Sequence, residues 1–343
     1  MPRDREQPAE PRARRWFEPA ELVCVLSRYD LGPIDAIRPY PRGSALAPKA
    51  VLRAATGRYL LKRREPVHAD PYRVAVCHAV QLRLADRGFP VAALVGTAGA
   101  NNSICQHSGG VYELFEFISG KRSDRTAQAA RDAGACLAAM HDALRDFEPE
   151  WEPARETYHA APWLAKRFLD ARRRLGPDAD DTLRTLEDAY RDAAARVDAA
   201  GLAEHPPQMI HGDWHPGNLI VARGSIAAVV DFDATRAAPA LVDVARGAVN
   251  FALDRDDTDG LTLDDQRFAA FCTGYERAGG VLTRAAEALP GLVAENIVAE
   301  AIEPVAATGR FGPRDGLAFL RMVAERLDAL ADAAHAGVRR AAG

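Results

Sequence analysis

The sequence reads as an α+β protein of two lobes, a small antiparallel β lobe followed by a larger, mostly helical one. Three observations carry that reading. Two hairpin patterns fall in the first third of the chain, at 50–62 and 102–118, with one helical stretch between them. Ala/Leu/Arg-rich segments with helical apolar spacing fill 126–200 and return from 241 to the end. A compact group of short strand patterns lies between those helical blocks, at 209–231.

Taken in order, residues 1–18 are rich in Pro, Arg and Glu with no apolar segment after them, so they are expected to be a disordered lead-in rather than a secretory signal. The first lobe is expected over 19–117. It opens on a short helix, Pro19 to Tyr29, and a loop, Pro41 to Ala45. Residues 50–55 and 58–62 flank Thr56-Gly57, a tight-turn signal. Pro71 to Arg87 carries Val76, Val80, Leu82 and Leu84 and stops at Gly88, a helix with its terminator. Asn102–His107 and Val111–Ile118, turned by Gly109-Gly110, make the second hairpin. The second lobe, 118–343, begins with helices over Thr126–Phe147, Pro162–Leu175 and Asp180–Ala200. Met209-Ile210-His211 then runs into a turn-rich loop. Leu219–Val221 and Ile226–Asp231 flank Arg223-Gly224-Ser225, so Asp231 is expected to end a hairpin strand.

Composition narrows the class. With 343 residues, 48% hydrophobic and 27% charged, the chain is an ordinary globular protein large enough to bury a core without staples. Its five cysteines are scattered, with no CxxC or Cys/His cluster, which points to a reducing cytoplasm. No run approaches the roughly 18 apolar residues of a membrane span. A net charge of -4 with no basic stripe argues against a nucleic-acid partner. Lysine is scarce (Lys49, Lys62, Lys121 and Lys166), so a lysine in an apolar strand asks for a reason.

The chemistry concentrates in His211-Gly212-Asp213-Trp214-His215-Pro216-Gly217-Asn218 and Val229-Val230-Asp231-Phe232-Asp233. Phosphoryl transfer from ATP needs a carboxylate for the attacking hydroxyl, oxygen ligands for magnesium, and a cation on the phosphates; the rest is positioning and electrostatics. Protein kinases supply an Asp, an Asn five residues later, and a further Asp on the next hairpin. Asp213, Asn218 and Asp231 have that order and spacing. A zinc site at His211, Asp213 and His215 is the other chemical reading, since histidines at i and i+4 can share a metal, but it leaves Asn218 and Asp231 without a purpose.

HGDWHPGN followed by VVDFD resembles the signature of the aminoglycoside phosphotransferase, choline kinase and homoserine-kinase-like family, which shares the two-lobed protein-kinase fold. The resemblance runs from Leu31 to Ala329, and only 211–243 is highly specific. It implies Asp213 as catalytic base, Asn218 and Asp231 as magnesium ligands, and Asp243 as a brace for the catalytic loop. His211 and His215 then shape that loop, with Asp233 in a supporting place. In the kinase pattern Lys62 reaches the α/β-phosphates of ATP. The loop containing Ser44 lies over the phosphates, and adenine sits against Glu116-Phe117-Ile118. One departure stands out. The small-lobe helix should offer a Glu to the lysine, yet the expected position falls near Cys77, where no acid is present. Either His78 or Gln81 substitutes, or Lys62 is oriented differently, or the chain is a non-catalytic scaffold.

The acceptor is open at this stage: a small-molecule hydroxyl first, or a Ser/Thr of a peptide or protein. Softer candidates are the six aspartates of Asp254 to Asp265, the helical Glu295, Glu300 and Glu303, and His141, read as structural.

Overall fold

The computed structural model describes residues 16–43, 46–255, 260–282 and 287–342. Ser44, residues 1–15 of the expected lead-in, and Asp256, Asp257 and Asp259 of the aspartate run lie outside the described residues. The chain divides into two compact units, one of residues up to 82 with 92–118, the other of 83–91 with 119–343. No helix among the described residues is long and apolar enough to cross a membrane.

The first unit is a five-stranded antiparallel sheet with two helices. Helix α1 (Pro19–Leu26) is followed by β1 (Ile34–Pro39), β2 (Lys49–Ala54), β3 (Gly57–Arg63), α2 (Pro71–Asp86), β4 (Cys105–His107) and β5 (Gly110–Glu116), and the strand order is β1-β2-β3-β5-β4. The Thr56-Gly57 turn makes the β2–β3 hairpin as expected, with Ala54 opposite Gly57. Leu61 of β3 pairs with Leu114 of β5, and both pack with Leu52, Val25 and Phe17 in one core cluster. Each fully buried leucine there contributes roughly 2 kcal/mol. Because side chains alternate across a strand, Lys62 and its cross-strand partner Glu113 turn to the other face. There α2 brings the buried His78. Asp70 opens α2 by accepting the Arg73 N–H at 2.9 Å, and Gly88, at φ 72°, lies just beyond its end.

The second unit holds β6 (Lys121–Arg122), α3 (Ala127–Leu144), α4 (Pro162–Leu175), α5 (Asp180–Ala199), β7 (Gln208–Ile210), β8 (Leu219–Ala222), β9 (Ser225–Val229), β10 (Arg236–Ala238), α6 (Ala240–Ala252), α7 (Asp265–Arg277), α8 (Leu289–Thr308) and α9 (Gly316–Ala342). Strands β7 and β10 pair, as do β6, β8 and β9. Thr126 caps α3 and Asp264 caps α7 through side-chain oxygens that accept first-turn amides. The described aspartates of the 254–265 run are thus structural: Asp264 is a cap, Asp254 pairs with Arg267, and Asp265 with Arg340. One expectation needs correcting. Strand β9 stops at Val229, so Asp231 stands beyond it, in a left-handed conformation (φ 66°) that no strand can continue through.

Helices α3 and α7 meet through glycine. A Cβ on Gly134 would lie 2.0 Å from the Phe271 carbonyl oxygen, and one on Gly274 would lie 2.0 Å from that of Arg131. Helix α3 also carries His141, which reaches into the site described below, so this contact sets how deeply that histidine sits. Backbone cannot yield as a side-chain tip can. Gly134→Ala should therefore cost about 1–3 kcal/mol of stability through overpacking, read as a lowered urea midpoint with the slope unchanged.

Candidate active site

The site starts from a buried carboxylate. Asp243, on α6, is fully buried and accepts the backbone N–H groups of His211 (2.7 Å) and Gly212 (2.8 Å). His141 Nε2 stands 3.3 Å from its Oδ2, and His141 Nδ1 is 2.9 Å from the Tyr275 hydroxyl. Burial works to raise the Asp243 pKa, but these donors and the His141 charge outweigh it and hold the acid below its ordinary range. The two amides sit where β7 ends. Gly212 turns the chain at φ 77°, and a Cβ there would lie 2.3 Å from the Ala234 carbonyl. Only glycine fits.

That turn aims Asp213. Its own N–H donates to His211 Nδ1 (3.2 Å), and His211 Nε2 donates to the Val230 carbonyl (3.2 Å). This pairing requires the neutral Nε2–H tautomer, in line with the burial that lowers the His211 pKa. His211 also packs edge-to-face on the buried Trp214 ring. His215 Nδ1 accepts the Gly217 N–H (3.0 Å), so its Nε2–H faces Asp213 Oδ2 at 3.4 Å. Asn218 Nδ2 donates to both the Asp213 carbonyl (2.9 Å) and its Oδ2 (3.2 Å). The Asn218 carbonyl accepts the Val230 N–H (3.0 Å), which ties the loop to the residue before Asp231. Phe232, Asp233 and Ala234 follow as a single 3₁₀ turn. The structure thus links Asp213, Asn218, His211 and His215 through direct contacts and brings the chain entering Asp231 to them.

Arg246 was not foreseen. It lies three residues after Asp243 on α6 and places NH2 3.4 Å from Asp213 Oδ1 and 3.1 Å from Glu300 Oε1. Burial pushes the Asp213 pKa up, but the His215 hydrogen bond and the Arg246 charge prevail and bring it to about 2. Beyond Arg246 opens a cavity of about 400 Å³, lined among others by Gly212, Trp163, Asn296, Glu300 and Phe311. Glu300 and Glu303 line it, whereas Glu295 is fully buried and accepts from Ala160 N–H and His159.

In the first unit, Lys62 lies inside β3 rather than at its end, and is only 5% exposed. The helix has no acid near Cys77, its one acid being the terminal Asp86, but the lysine does not lack a carboxylate. Glu113 of β5, fully buried, places Oε2 3.8 Å from Lys62 Nζ. Its Oε1 takes Arg64 NH2 at 2.7 Å and His78 Nε2 at 2.6 Å, while His78 Nδ1 meets Ser103 Oγ at 2.7 Å. His78 contacts this carboxylate rather than the lysine. Gln81 bonds within its own helix. The signal for Glu113 was present in the sequence: two cations at i and i+2, Lys62 near the end of β3 and Arg64 just past it, and one acid inside an apolar strand. The strand register that joins them was not. Glu116 and Phe117 close the unit, donating to Ala93 O and Arg58 O, both at 2.9 Å. No group of three or more His, Cys, Asp or Glu converges as a metal site among the described residues, and both ring nitrogens of His211 are engaged within the loop, which speaks against the zinc reading.

A model of the phosphotransferase enzyme family matches residues 37–281. The chain belongs to that family. A homoserine kinase of Hyphomonas neptunium is 26% identical to this phosphotransferase over 281 residues, covering 79% of this chain and 81% of that one. Among solved structures, an aminoglycoside phosphotransferase from Alicyclobacillus acidocaldarius superposes with a TM-score of 0.66 at 20% identity, covering 96% of this chain and 98% of that one. An amicoumacin kinase in complex with AMP-PNP, Ca2+ and Ami superposes with a TM-score of 0.70 at 12% identity, covering 91% and 94%. The solved structures show the kinase-like α+β fold. Family membership makes the chain an ATP-dependent enzyme with a hydroxyl acceptor, not a scaffold.

Asp243 offers the first test of the site's construction. Asp243→Asn keeps the shape but turns one acceptor oxygen into an N–H₂ that faces a backbone N–H. Leaving such a buried donor unmet costs about 1–3 kcal/mol, so the phosphotransferase variant should unfold at a lower urea concentration.

Proposed function

We propose that this phosphotransferase moves the γ-phosphate of Mg·ATP to a hydroxyl of a small polar acceptor, with Asp213 orienting and deprotonating that hydroxyl. The observation that carries the reading is the position of Asp213. Its carboxylate is fixed by Asn218, His215 and Arg246, and Arg246 also lines the 400 Å³ cavity. A hydroxyl presented from that cavity meets an ionised carboxylate.

The donor set suits magnesium, a hard cation that takes oxygen ligands. Asn218 commits Nδ2 to Asp213, which leaves Oδ1 as the atom it offers a cation. Asp231 follows Val230 in a left-handed conformation, a strained state that for a non-glycine residue persists where the surroundings demand it. Magnesium held by these two would neutralise phosphate charge. Lys62 steadies the α/β-phosphates from the sheet. Adenine sits against 116–118. The Glu116 and Phe117 N–H groups are already committed to the Ala93 and Arg58 carbonyls. His211 carries no charge; burial lowers its pKa, and its ring holds the loop through the Asp213 N–H and the Val230 carbonyl.

The cavity favours a small acceptor over a peptide segment. Asn296, fully buried, backs its wall with both amide atoms unpartnered among the described residues. An acceptor with a group that both donates and accepts would satisfy it, and that means a polar molecule. Homoserine is the first acceptor to assay, since the relative of Hyphomonas neptunium bears that name.

Two measurements test the reading. Calorimetry with AMP-PNP should show binding strengthened by magnesium in the wild type, and Asp231→Asn should lose most of that gain. Asp213→Asn should keep nucleotide affinity while kcat falls by about 10²–10⁴, the range for a positioned general base. A wild type indifferent to both nucleotide and magnesium would sink the assignment.

A further inference from the structure

Lys62 and Glu113 occupy directly opposed positions on β3 and β5, so the ladder fixes their separation before any helix packs. Arg64, two residues along, turns its side chain to the same face and donates its own backbone N–H to the Val111 carbonyl at 2.8 Å, extending the ladder. Glu113 therefore sits between two cations of one chain segment. Its two oxygens are used differently. Oε1 is pinned by Arg64 at 2.7 Å and His78 at 2.6 Å. Oε2 has no hydrogen-bond partner among the described residues and faces Lys62 Nζ at 3.8 Å, an ion pair longer than a hydrogen bond.

We propose that Glu113 is the positioning residue for Lys62, a strand-borne replacement for the helix carboxylate of protein kinases, and that α2 contributes through His78 by locking Glu113 instead of the lysine. This rests on the reading that Lys62 binds the phosphates. The physical logic lies in the asymmetry of the two oxygens. An acid pinned on one oxygen by two donors is rigid. A lysine drawn by charge to the other oxygen at 3.8 Å is aimed by that rigid acid. The same geometry removes a means of control. Where the acid rides on a helix, swinging the helix breaks the pair. Here both partners belong to adjacent paired strands, so the lysine is in place whenever the sheet is folded.

A double-mutant cycle on the full chain, read by calorimetry with AMP-PNP and magnesium, tests this. Glu113→Asp keeps the charge that Arg64 and His78 need but shortens the reach to Lys62 by one methylene. It should fold and bind nucleotide at least tenfold more weakly. Lys62→Met should lose affinity by a similar factor, and the double variant should be no worse than Lys62→Met alone. Additive losses in the double variant would mean that Glu113 only stabilises the sheet, and the proposal would fall. Unchanged affinity in Glu113→Asp, with Lys62→Met impaired, would also overturn it while leaving Lys62 as a phosphate ligand. Unchanged affinity in Lys62→Met would overturn both that role and the proposal. His78→Gln, milder in a charged cluster, should weaken binding severalfold, an effect lost on the Lys62→Met background; an undiminished effect there counts against the proposal. Thermal midpoints measured alongside separate loss of fold from loss of aim.

Discussion

Asp243 is the constraint on which the active-site loop depends. An ionised carboxylate removed from water costs several kcal/mol unless its lone pairs are met, and here two consecutive backbone amides and His141 meet them. The stabilisation works in both directions. The amides of 211 and 212 cannot both point at one carboxylate unless the chain reverses there, and the reversal puts Gly212 in a conformation closed to other residues. Once that turn exists, Asp213 follows it. The stretch from 211 to 218 contains a single 3₁₀ turn, so its shape comes from side chains that bond its backbone: Asp243, His211, His215 and Asn218.

Solvent separates the acids into two kinds. Asp243 and Glu113 have none, and each is spent on holding something else. The Asp213 side chain is 36% exposed and remains available to a substrate. Against its partial burial, the His215 hydrogen bond and the Arg246 charge hold its pKa below the ordinary carboxylate range, so it is kept ionised rather than matched to ambient pH. Phosphoryl transfer tolerates this. In a loose transition state the attacking oxygen forms little bond before the leaving group departs, so its proton becomes acidic late. An ionised, precisely aimed carboxylate that orients the hydroxyl through the early part of the reaction is then worth more than a basic one.

The sequence made much of this legible, and the gaps have physical causes. The helices of the second unit follow from apolar periodicity, and Thr126 and Gly88 mark a start and a stop that the structure keeps. The spacing of Asp213 and Asn218 is local, so their contact was foreseeable. Lys62 with Glu113 was not, because a pairing across 51 positions depends on strand register, and register is decided by the β3–β5 ladder rather than by either segment alone. Helix α2 carries Cys77 where protein kinases place an acid, and next to it His78, which bonds Glu113. Arg246 escaped for a related reason. At i+3 from Asp243 it reads as one more arginine on a helix, and only the fold brings Asp213 and Glu300 to either side of it.

Helix α8 shows how little separates a structural acid from one a substrate can meet. Asn296, Glu300 and Glu303 are spaced i, i+4 and i+7, which places them on one face, and all three line the cavity. Glu295, one residue earlier and so turned by about 100°, is buried against His159 and the Ala160 amide. The cavity therefore presents one stripe of α8 whose neighbour anchors the helix. Asn296 carries the selectivity argument furthest. A buried amide without partners costs about 1–3 kcal/mol, a burden that leucine at the same position would not bear. A polar acceptor that engages both amide atoms removes that cost, and an apolar one leaves it standing. Under the proposed function, Asn296 thus favours a polar acceptor over an apolar one before any contact with Asp213 is made.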